Sequence, residues 1–179
     1  MGGDVAVVGI YCDFHAGQEQ STANILGAML KQLASRGGIS KLILETFKKA
    51  KKEFGGRGLQ LQDMLNIVKK TITSLRRLFI CIDALDECTP KNRRELIESL
   101  REIVRVLPGA RVFLTGRPHI DGEIVTCFSR TLRIPLSPTH RDIMTYLERR
   151  LDSDTDPKAM DDELRADIMR IIPEKISDM

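Results

Sequence analysis

Three acidic residues stand at the end of an apolar run in the segment LFICIDALDEC, residues 78–88. A carboxylate fixed at the end of a rigid strand can hold Mg²⁺ directly or through its waters, since this ion keeps most of its hydration. A second carboxylate one turn further on can orient a water molecule for in-line attack on a γ-phosphate. The spacing therefore predicts Asp83 as a magnesium ligand and Asp86 or Glu87 as the residue that places the water.

The same acids also have a purely structural interpretation. Thr89 and Pro90 predict the start of a helix, because a capping side chain is followed by proline at the first helical position. Acidic side chains just before a helix are favoured by the positive end of its dipole. On spacing alone, the nucleotide interpretation and the turn interpretation both stay open.

A basic residue, Arg117, ends a second apolar segment, ARVFLTGRP at 110–118. A guanidinium group offers planar, bidentate donors to phosphoryl oxygens. Ligands of open parallel sheets bind beyond the carboxyl ends of the strands, where this arginine and the acids all fall. We therefore expect Arg117 to lie near the acids and to contact the γ-phosphate.

These side chains depend for their positions on alternating strands and helices. Two further segments, 5–11 and 131–136, predict strands in addition to the two that precede the acids and the arginine. Strands separated by helices require crossovers, so we expect an α/β fold with a parallel sheet and helices on both faces. The helices predicted from apolar periodicity cover 21–36, 40–54, 60–75, 90–107, 142–151 and 161–172.

These segments resemble the NACHT family of signal-transduction NTPases. LFICIDALDEC resembles the Walker B segment of that family, which has four apolar residues, Asp, a small residue, an apolar residue and then Asp-Glu. VFLTGRP is similar to the sensor-1 segment, with Gly116 in place of the usual serine before the arginine. IYCDF and the helix ILGAMLKQL resemble fungal members of the heterokaryon-incompatibility and nephrocystin-like type, and LSPTHRDIMTYLERRL resembles the start of the small helical domain.

The resemblance implies a P-loop NTPase-like fold of the STAND class. It implies a partial nucleotide-binding domain over 1–136 and the start of a NACHT-associated helical domain over 137–179. The implied cofactors of the full-length parent are Mg²⁺ and ATP or GTP, with the roles of the three acids and the arginine as above. The implied partners are other proteins or further copies of the chain, whose assembly the nucleotide controls.

The phosphate loop of this family, GxxxxGK[ST], is absent from the 179 residues, which contain no Gly-Lys dipeptide. Backbone N–H groups and the lysine of this loop cradle the phosphates. We expect the loop and the central strand before it to lie upstream of Met1, which leaves two ladder edges unpaired. Losing several hydrogen bonds to phosphate, at about 1.5–3 kcal/mol each, weakens binding about a thousandfold or more.

Two functional hypotheses follow. The first is a switch that binds and slowly hydrolyses ATP or GTP in its full-length parent, while this chain alone is inactive. The second is a non-catalytic interaction remnant that keeps the acids only for folding. A general AAA-type motor is less favoured, because such proteins place the catalytic acid directly after the magnesium aspartate, where this chain has Ala84.

Composition argues against several other classes of protein. The net charge of +3 comes from 28 basic and 25 acidic residues along the whole chain, which gives no case for a nucleic-acid surface. No apolar stretch predicts a membrane span, and the N-terminus lacks the basic leader of a secreted protein. Cysteines 12, 81, 88 and 127 form no CxxC pair, so we predict small buried hydrophobic residues in a reducing, cytoplasmic compartment.

Overall fold

The computed structural model describes residues 5–35, 60–153 and 160–177, together with the single positions 41, 45 and 48. The chain divides into two compact units, Met1–Thr131 and Leu132–Met179, and each is described by itself. The assignment of 1–136 to a nucleotide-binding domain and of 137–179 to a NACHT-associated domain stays a prediction.

A three-stranded parallel sheet forms the centre of the first unit, with the strand order β1-β2-β3. Its strands are β1 (Val5–Tyr11), β2 (Arg77–Asp83) and β3 (Ala110–Leu114). β-branched and other apolar side chains alternate between the two faces of each strand, as the strand period of two requires. The predicted α/β fold with a parallel sheet is confirmed.

Four helices accompany the sheet among the described residues of the first unit: α1 (Thr22–Ala34), α2 (Leu61–Ile72), α3 (Pro90–Val106) and the short α4 (Asp121–Cys127). The predicted caps form, since the Ser21 hydroxyl accepts from the Asn24 N–H and the Thr89 hydroxyl from the Asn92 N–H. The helix predicted over 40–54 lies outside the described residues, apart from helical positions 41, 45 and 48.

The described helices cover one face of the sheet. Buried rows cross the strands on that face, such as Val8 beside Ile80, while Val7 and Phe113 on the opposite face are exposed. The strand order explains the position of these helices. Right-handed crossovers that advance in one direction place all their helices on the same side, and helices reach the other side only where the order reverses.

The outer edge of β1 is protected by a side chain rather than by another strand. The Gly9 N–H donates to Gln32 Oε1 at 2.9 Å, and Gln32 Nε2 donates to the Gly9 carbonyl oxygen at 2.7 Å. The primary amide of this α1 residue thus copies the donor and acceptor of a neighbouring strand. It satisfies one residue of an edge that would otherwise offer unpaired groups to another chain.

The second unit contains two helices in its described part, α5 (His140–Asp152) and α6 (Asp162–Ser177). The strand predicted over 131–136 is wrong, because these residues form no ladder and Leu132, Ile134 and Leu136 are exposed. Pro135 offers a physical reason, since it lacks the N–H that a strand must donate. No helix in the described part of the chain is both long and apolar enough to cross a membrane.

We predict that Gln32→Ala lowers the free energy of unfolding by about 1–2 kcal/mol, because it removes two hydrogen bonds to the Gly9 backbone. Gln62→Ala is the matched control, since the Gln62 amide donates only to Asn66 on the surface of α2, at 3.4 Å. Urea unfolding compares the two variants, and hydrogen exchange should show faster exchange of the Gly9 amide in Gln32→Ala alone. Equal effects of the two substitutions would contradict the protection of this edge.

Candidate functional site

Asp83 lies at the carboxyl end of β2. Its carboxylate accepts a hydrogen bond from the hydroxyl of Thr115, the residue directly after β3. Thr115 Oγ1 donates to Asp83 Oδ1 and accepts from the Ala84 N–H at 2.9 Å. The Thr115 backbone is bonded on both sides as well: its N–H donates to Ile82 at 3.0 Å, and its carbonyl accepts from Leu85 at 2.9 Å. One threonine therefore fixes both the aspartate and the turn after it.

The turn after Asp83 depends on a left-handed residue. Ala84 has φ 54° and ψ 46°, and it is the one non-glycine residue with positive φ in the described chain. The chain then makes a 3₁₀ turn over Leu85–Glu87, anchored by the fully buried Leu85 side chain. A β-branched residue at position 84 would crowd its own backbone in this conformation, so the small residue of the DALDE pattern has a steric reason.

Arg117 is brought together with the two acids of that turn. Its backbone N–H donates to Asp86 Oδ1 at 3.3 Å, and its Nε lies 3.4 Å from Asp86 Oδ2. Its Nη2 lies 3.9 Å from Glu87 Oε1. The Asp86 side chain is only 8% exposed, whereas that of Arg117 is 74% exposed. Asp86 is thus a fixed carboxylate, and Arg117 closes over it from solvent.

Gly116 allows the side chains of Asp86 and Ile120 to lie close to the backbone of the segment after β3. A Cβ atom at position 116 would lie 2.6 Å from Ile120 Cδ1 and 3.3 Å from Asp86 Oδ1. A serine here would have to displace the terminal methyl group of a buried isoleucine. The hydroxyl at this edge of the sheet comes instead from Thr115, which was not among the site residues predicted from the sequence. Thr115 could have been predicted from its position, because it is a hydroxyl residue directly after a strand that runs parallel to the strand of Asp83.

A cavity of about 450 Å³ adjoins the acidic turn. Its lining includes Asp13, Phe14, Asp86, Glu87, Cys88 and His119. Arg93, also in the lining, is buried and donates from Nη1 to the Cys88 carbonyl at 3.1 Å. Arg93 was not predicted from the sequence either, although a charged residue on the apolar face of α3 was a usable signal.

A second ion pair beside the turn joins Arg93 to Glu123, and its contacts are shorter than those of Arg117. Arg93 Nε and Nη2 donate to the two carboxylate oxygens of Glu123 at 3.1 and 2.7 Å. These hydrogen bonds from a guanidinium lower the pKa of Glu123 and raise the pKa of Arg93. The paired geometry and the burial of the arginine identify this contact as a clamp between α3 and α4.

Two cysteines meet beneath the turn. Cys12 Sγ and Cys88 Sγ are 3.3 Å apart, and both side chains are buried. The hydrogen bond between the thiols, together with burial, raises the pKa of Cys12, while the same bond and the nearby Arg93 lower the pKa of Cys88. The prediction of four buried cysteines is wrong for Cys81, which is exposed because it points to the open face of the sheet, and Cys127 is half-buried.

The predicted site residues thus fall into one neighbourhood, with Asp83 tied to Thr115 and with Asp86 and Glu87 tied to Arg117. Within the described residues, no group of three or more His, Cys, Asp or Glu side chains is arranged to hold a metal ion. The roles assigned to the acids and to Arg117 in binding magnesium, water and phosphate stay predictions.

The first 117 residues carry a recognisable family signature. A family model described as "Nephrocystin 3, N-terminal" matches residues 3–117, a span that includes all three strands and every predicted site residue. No curated protein and no solved structure matches the chain.

We predict opposite effects of two substitutions at Ala84. Ala84→Val should lower the free energy of unfolding by about 1–3 kcal/mol, because a β-branched side chain is strained at positive φ. Ala84→Gly should leave it unchanged or raise it by up to about 1 kcal/mol, since glycine adopts this conformation freely. Thermal and urea unfolding test both variants, and a glycine variant as unstable as the valine variant would contradict a left-handed Ala84.

We predict an acid-dependent loss of stability that requires Glu123. Its folded pKa lies below the ordinary value of 4.5, so its contribution is fully present above that pH and disappears as the pH falls through the folded pKa. At pH 7, Glu123→Gln should lower the free energy of unfolding by about 1–3 kcal/mol, because Arg93 loses a charged partner.

The difference in the free energy of unfolding between wild type and Glu123→Gln should therefore shrink as urea unfolding is repeated from pH 5 down to about pH 3. Glu98→Gln on the exposed face of α3 is the control and should show little effect at any of these pH values. A constant difference across the range would mean that the ion pair is not its source.

Proposed function

The chain belongs to the nephrocystin-3 N-terminal family, and on this premise we propose that it carries the acidic half of a nucleotide site in a NACHT-type signalling switch. The parent switch, of the fungal STAND P-loop NTPase class, binds and slowly hydrolyses ATP or GTP and thereby controls its assembly with protein partners. The chain alone lacks the phosphate-binding loop motif and is proposed to be catalytically inactive.

One observation supports this proposal above the others: the four predicted site residues converge at the carboxyl edge of a parallel sheet. Asp83 ends β2, while Asp86, Glu87 and Arg117 form one ion-pair cluster beyond the ends of β2 and β3. This edge is the place where open α/β sheets bind their ligands. The alternation of strands and helices thus puts the charged residues where a phosphate ligand is expected.

Two features of the Asp83 carboxylate support a role in binding magnesium. The carboxylate is exposed, and the neighbouring Thr115 hydroxyl holds one of its oxygens in place. A hard divalent cation prefers such oxygen ligands and keeps several waters of its own. When bound, Mg²⁺ neutralises charge on the phosphates, and Asp83 is the residue that positions it in this proposal.

Between the two candidates for orienting water, the geometry favours Glu87. Asp86 is nearly buried and already accepts from the Arg117 backbone N–H at 3.3 Å, so it organises the turn. Glu87 is more exposed, lines the cavity, and lies 3.9 Å from the arginine, a distance typical of a weak ion pair. Arg117 is then free to exchange its acidic partners for a phosphate group.

A non-catalytic interaction module is the second candidate, and one observation favours it. Val7, Phe113 and Tyr11 are exposed on the sheet face that the described helices leave open, and such apolar surface marks an interaction site. The expected self-oligomerisation makes a second copy of the chain the partner that would bind this face of the sheet. A monomer at high concentration in light scattering would count against this candidate without affecting the nucleotide proposal.

The nucleotide proposal is tested by metal binding and calorimetry on the full chain. Mn²⁺, a paramagnetic substitute for Mg²⁺, should bind in the millimolar range, and Asp83→Asn should weaken it at least about fivefold by removing the anionic ligand. Asp162→Asn in the second unit removes an equal charge that the proposed site does not use and should leave binding unchanged. Equal Mn²⁺ binding by wild type and Asp83→Asn would contradict the metal assignment.

Mg-ATP and Mg-GTP should give no micromolar isotherm with the chain, because the backbone N–H groups and the lysine of a phosphate loop are missing from its sequence. Arg117→Ala should be equally silent in the same titration. A clear micromolar isotherm would overturn the proposal that the chain carries only the acidic half of the site.

A further inference from the structure

The thiol pair beneath the acidic turn has a geometry that packing alone does not require. Cys12 is 1% exposed and Cys88 is 4% exposed, and their sulfur atoms lie 3.3 Å apart although 76 positions separate them in the chain. Bond formation needs the sulfurs to approach by about 1 Å, since a disulfide is about 2.05 Å long. We infer that Cys12 and Cys88 are a modification site that forms a reversible intramolecular disulfide with hydrogen peroxide as oxidant.

The backbones on both sides of the pair are held by hydrogen bonds. The Cys12 N–H donates to the Asp83 carbonyl at 3.0 Å, which fixes the first residue after β1 to the end of β2. The Cys88 N–H donates to the Leu85 carbonyl at 3.2 Å, and the Cys88 carbonyl accepts from Arg93 at 3.1 Å. Because these contacts belong to the sheet edge and the α3 clamp, the thiols stay neighbours as long as the first unit is folded.

The oxidant reaches one thiol before the other. Cys88 lines the cavity beside the acidic turn, whereas Cys12 is not among the lining residues and is 1% exposed. Hydrogen peroxide is small enough to enter that cavity, and larger oxidants are excluded by the low exposure of both sulfurs. Cys88 is therefore the attacking residue, and Cys12 is the resolving residue.

The reaction balances with one molecule of peroxide. The Cys88 sulfur, as thiolate, attacks one peroxide oxygen; the O–O bond breaks, Cys88 becomes a sulfenic acid, and the leaving hydroxide takes up the thiol proton as water. The Cys12 sulfur then attacks the sulfenic sulfur. The S–S bond forms, the S–O bond breaks, and the lost hydroxyl leaves with the Cys12 proton as a second water. The two thiols lose two electrons and the peroxide gains them.

The disulfide would join the segment after β1 directly to the turn that carries the acids. Closing a long loop restricts the unfolded chain, so the oxidised protein should unfold at a temperature higher by about 10 °C. The proposal stands on the thiol geometry alone, and it holds whether or not the acids bind a metal ion.

The test uses the full chain with Cys81→Ser and Cys127→Ser, which removes the two thiols that are not paired. After peroxide treatment and alkylation, mass spectrometry should find a protein without alkyl groups that is two hydrogen atoms lighter than the reduced, untreated protein. Trypsin should release peptide 1–31 joined to peptide 78–91, and a thiol reductant should restore both alkylation sites. Cross-linking in urea should be at least about tenfold slower, because the sulfurs are no longer held together.

A further Cys88→Ser substitution in the same background is the control and should abolish the joined peptide. If the serine background fails to fold, fragmentation of the joined peptides from the wild-type chain locates the bond, because peptide 78–91 then contains Cys81 as well as Cys88. The proposal is overturned if Cys88 oxidises to sulfinic or sulfonic acid while Cys12 stays a free thiol. Full alkylation of both cysteines after peroxide treatment of the folded protein would overturn it as well.

Discussion

The handedness of the strand crossovers determines where the rest of the first unit lies. Three parallel strands follow one another in sequential order, and each connection between them is constrained to be right-handed. The described helices therefore gather on one face and bury a single core, whereas the other face keeps Val7 and Phe113 exposed. The same parallel arrangement brings the residues after β1, β2 and β3 to one edge, so Cys12, Asp83 and Thr115 become neighbours.

At that edge, Thr115 and Asp86 convert neighbouring strand ends into a defined site. Thr115 uses its hydroxyl on Asp83 and on the Ala84 N–H, and this anchors the entry to a left-handed turn. The turn then directs Asp86 back toward β3, where it accepts from the Arg117 N–H at 3.3 Å. Backbone strain at Ala84 and a buried carboxylate at Asp86 are both destabilising by themselves, and the hydrogen bonds of the turn offset them.

Local patterns in the sequence predicted the parts of the fold that local physics controls. β1, β2 and α3 agree with their predicted ranges to within about a residue or two, because apolar periodicity and the Thr89–Pro90 helix start act over a few positions. The contacts that define the site are long-range. Gln32 on Gly9, Thr115 on Asp83 and Cys12 on Cys88 join residues 23, 32 and 76 positions apart, and no local period encodes such pairs.

The arginines at the site differ in the cost of changing partners, and this difference decides which one can respond to a ligand. Arg93 is buried and holds Glu123 through two hydrogen bonds, and breaking such a pair is costly, up to about 3–5 kcal/mol when both partners are fully buried. Arg117 is 74% exposed and meets Asp86 and Glu87 at 3.4 and 3.9 Å, so solvent screens both contacts from the arginine side, and an exposed pair contributes only about 0–1 kcal/mol. The ion pairs of Arg117 therefore do not argue against phosphate binding, because a doubly charged, bidentate ligand would outcompete them. Asp86 would keep its bond to the Arg117 backbone during such an exchange, so the turn can stay folded while the guanidinium group moves.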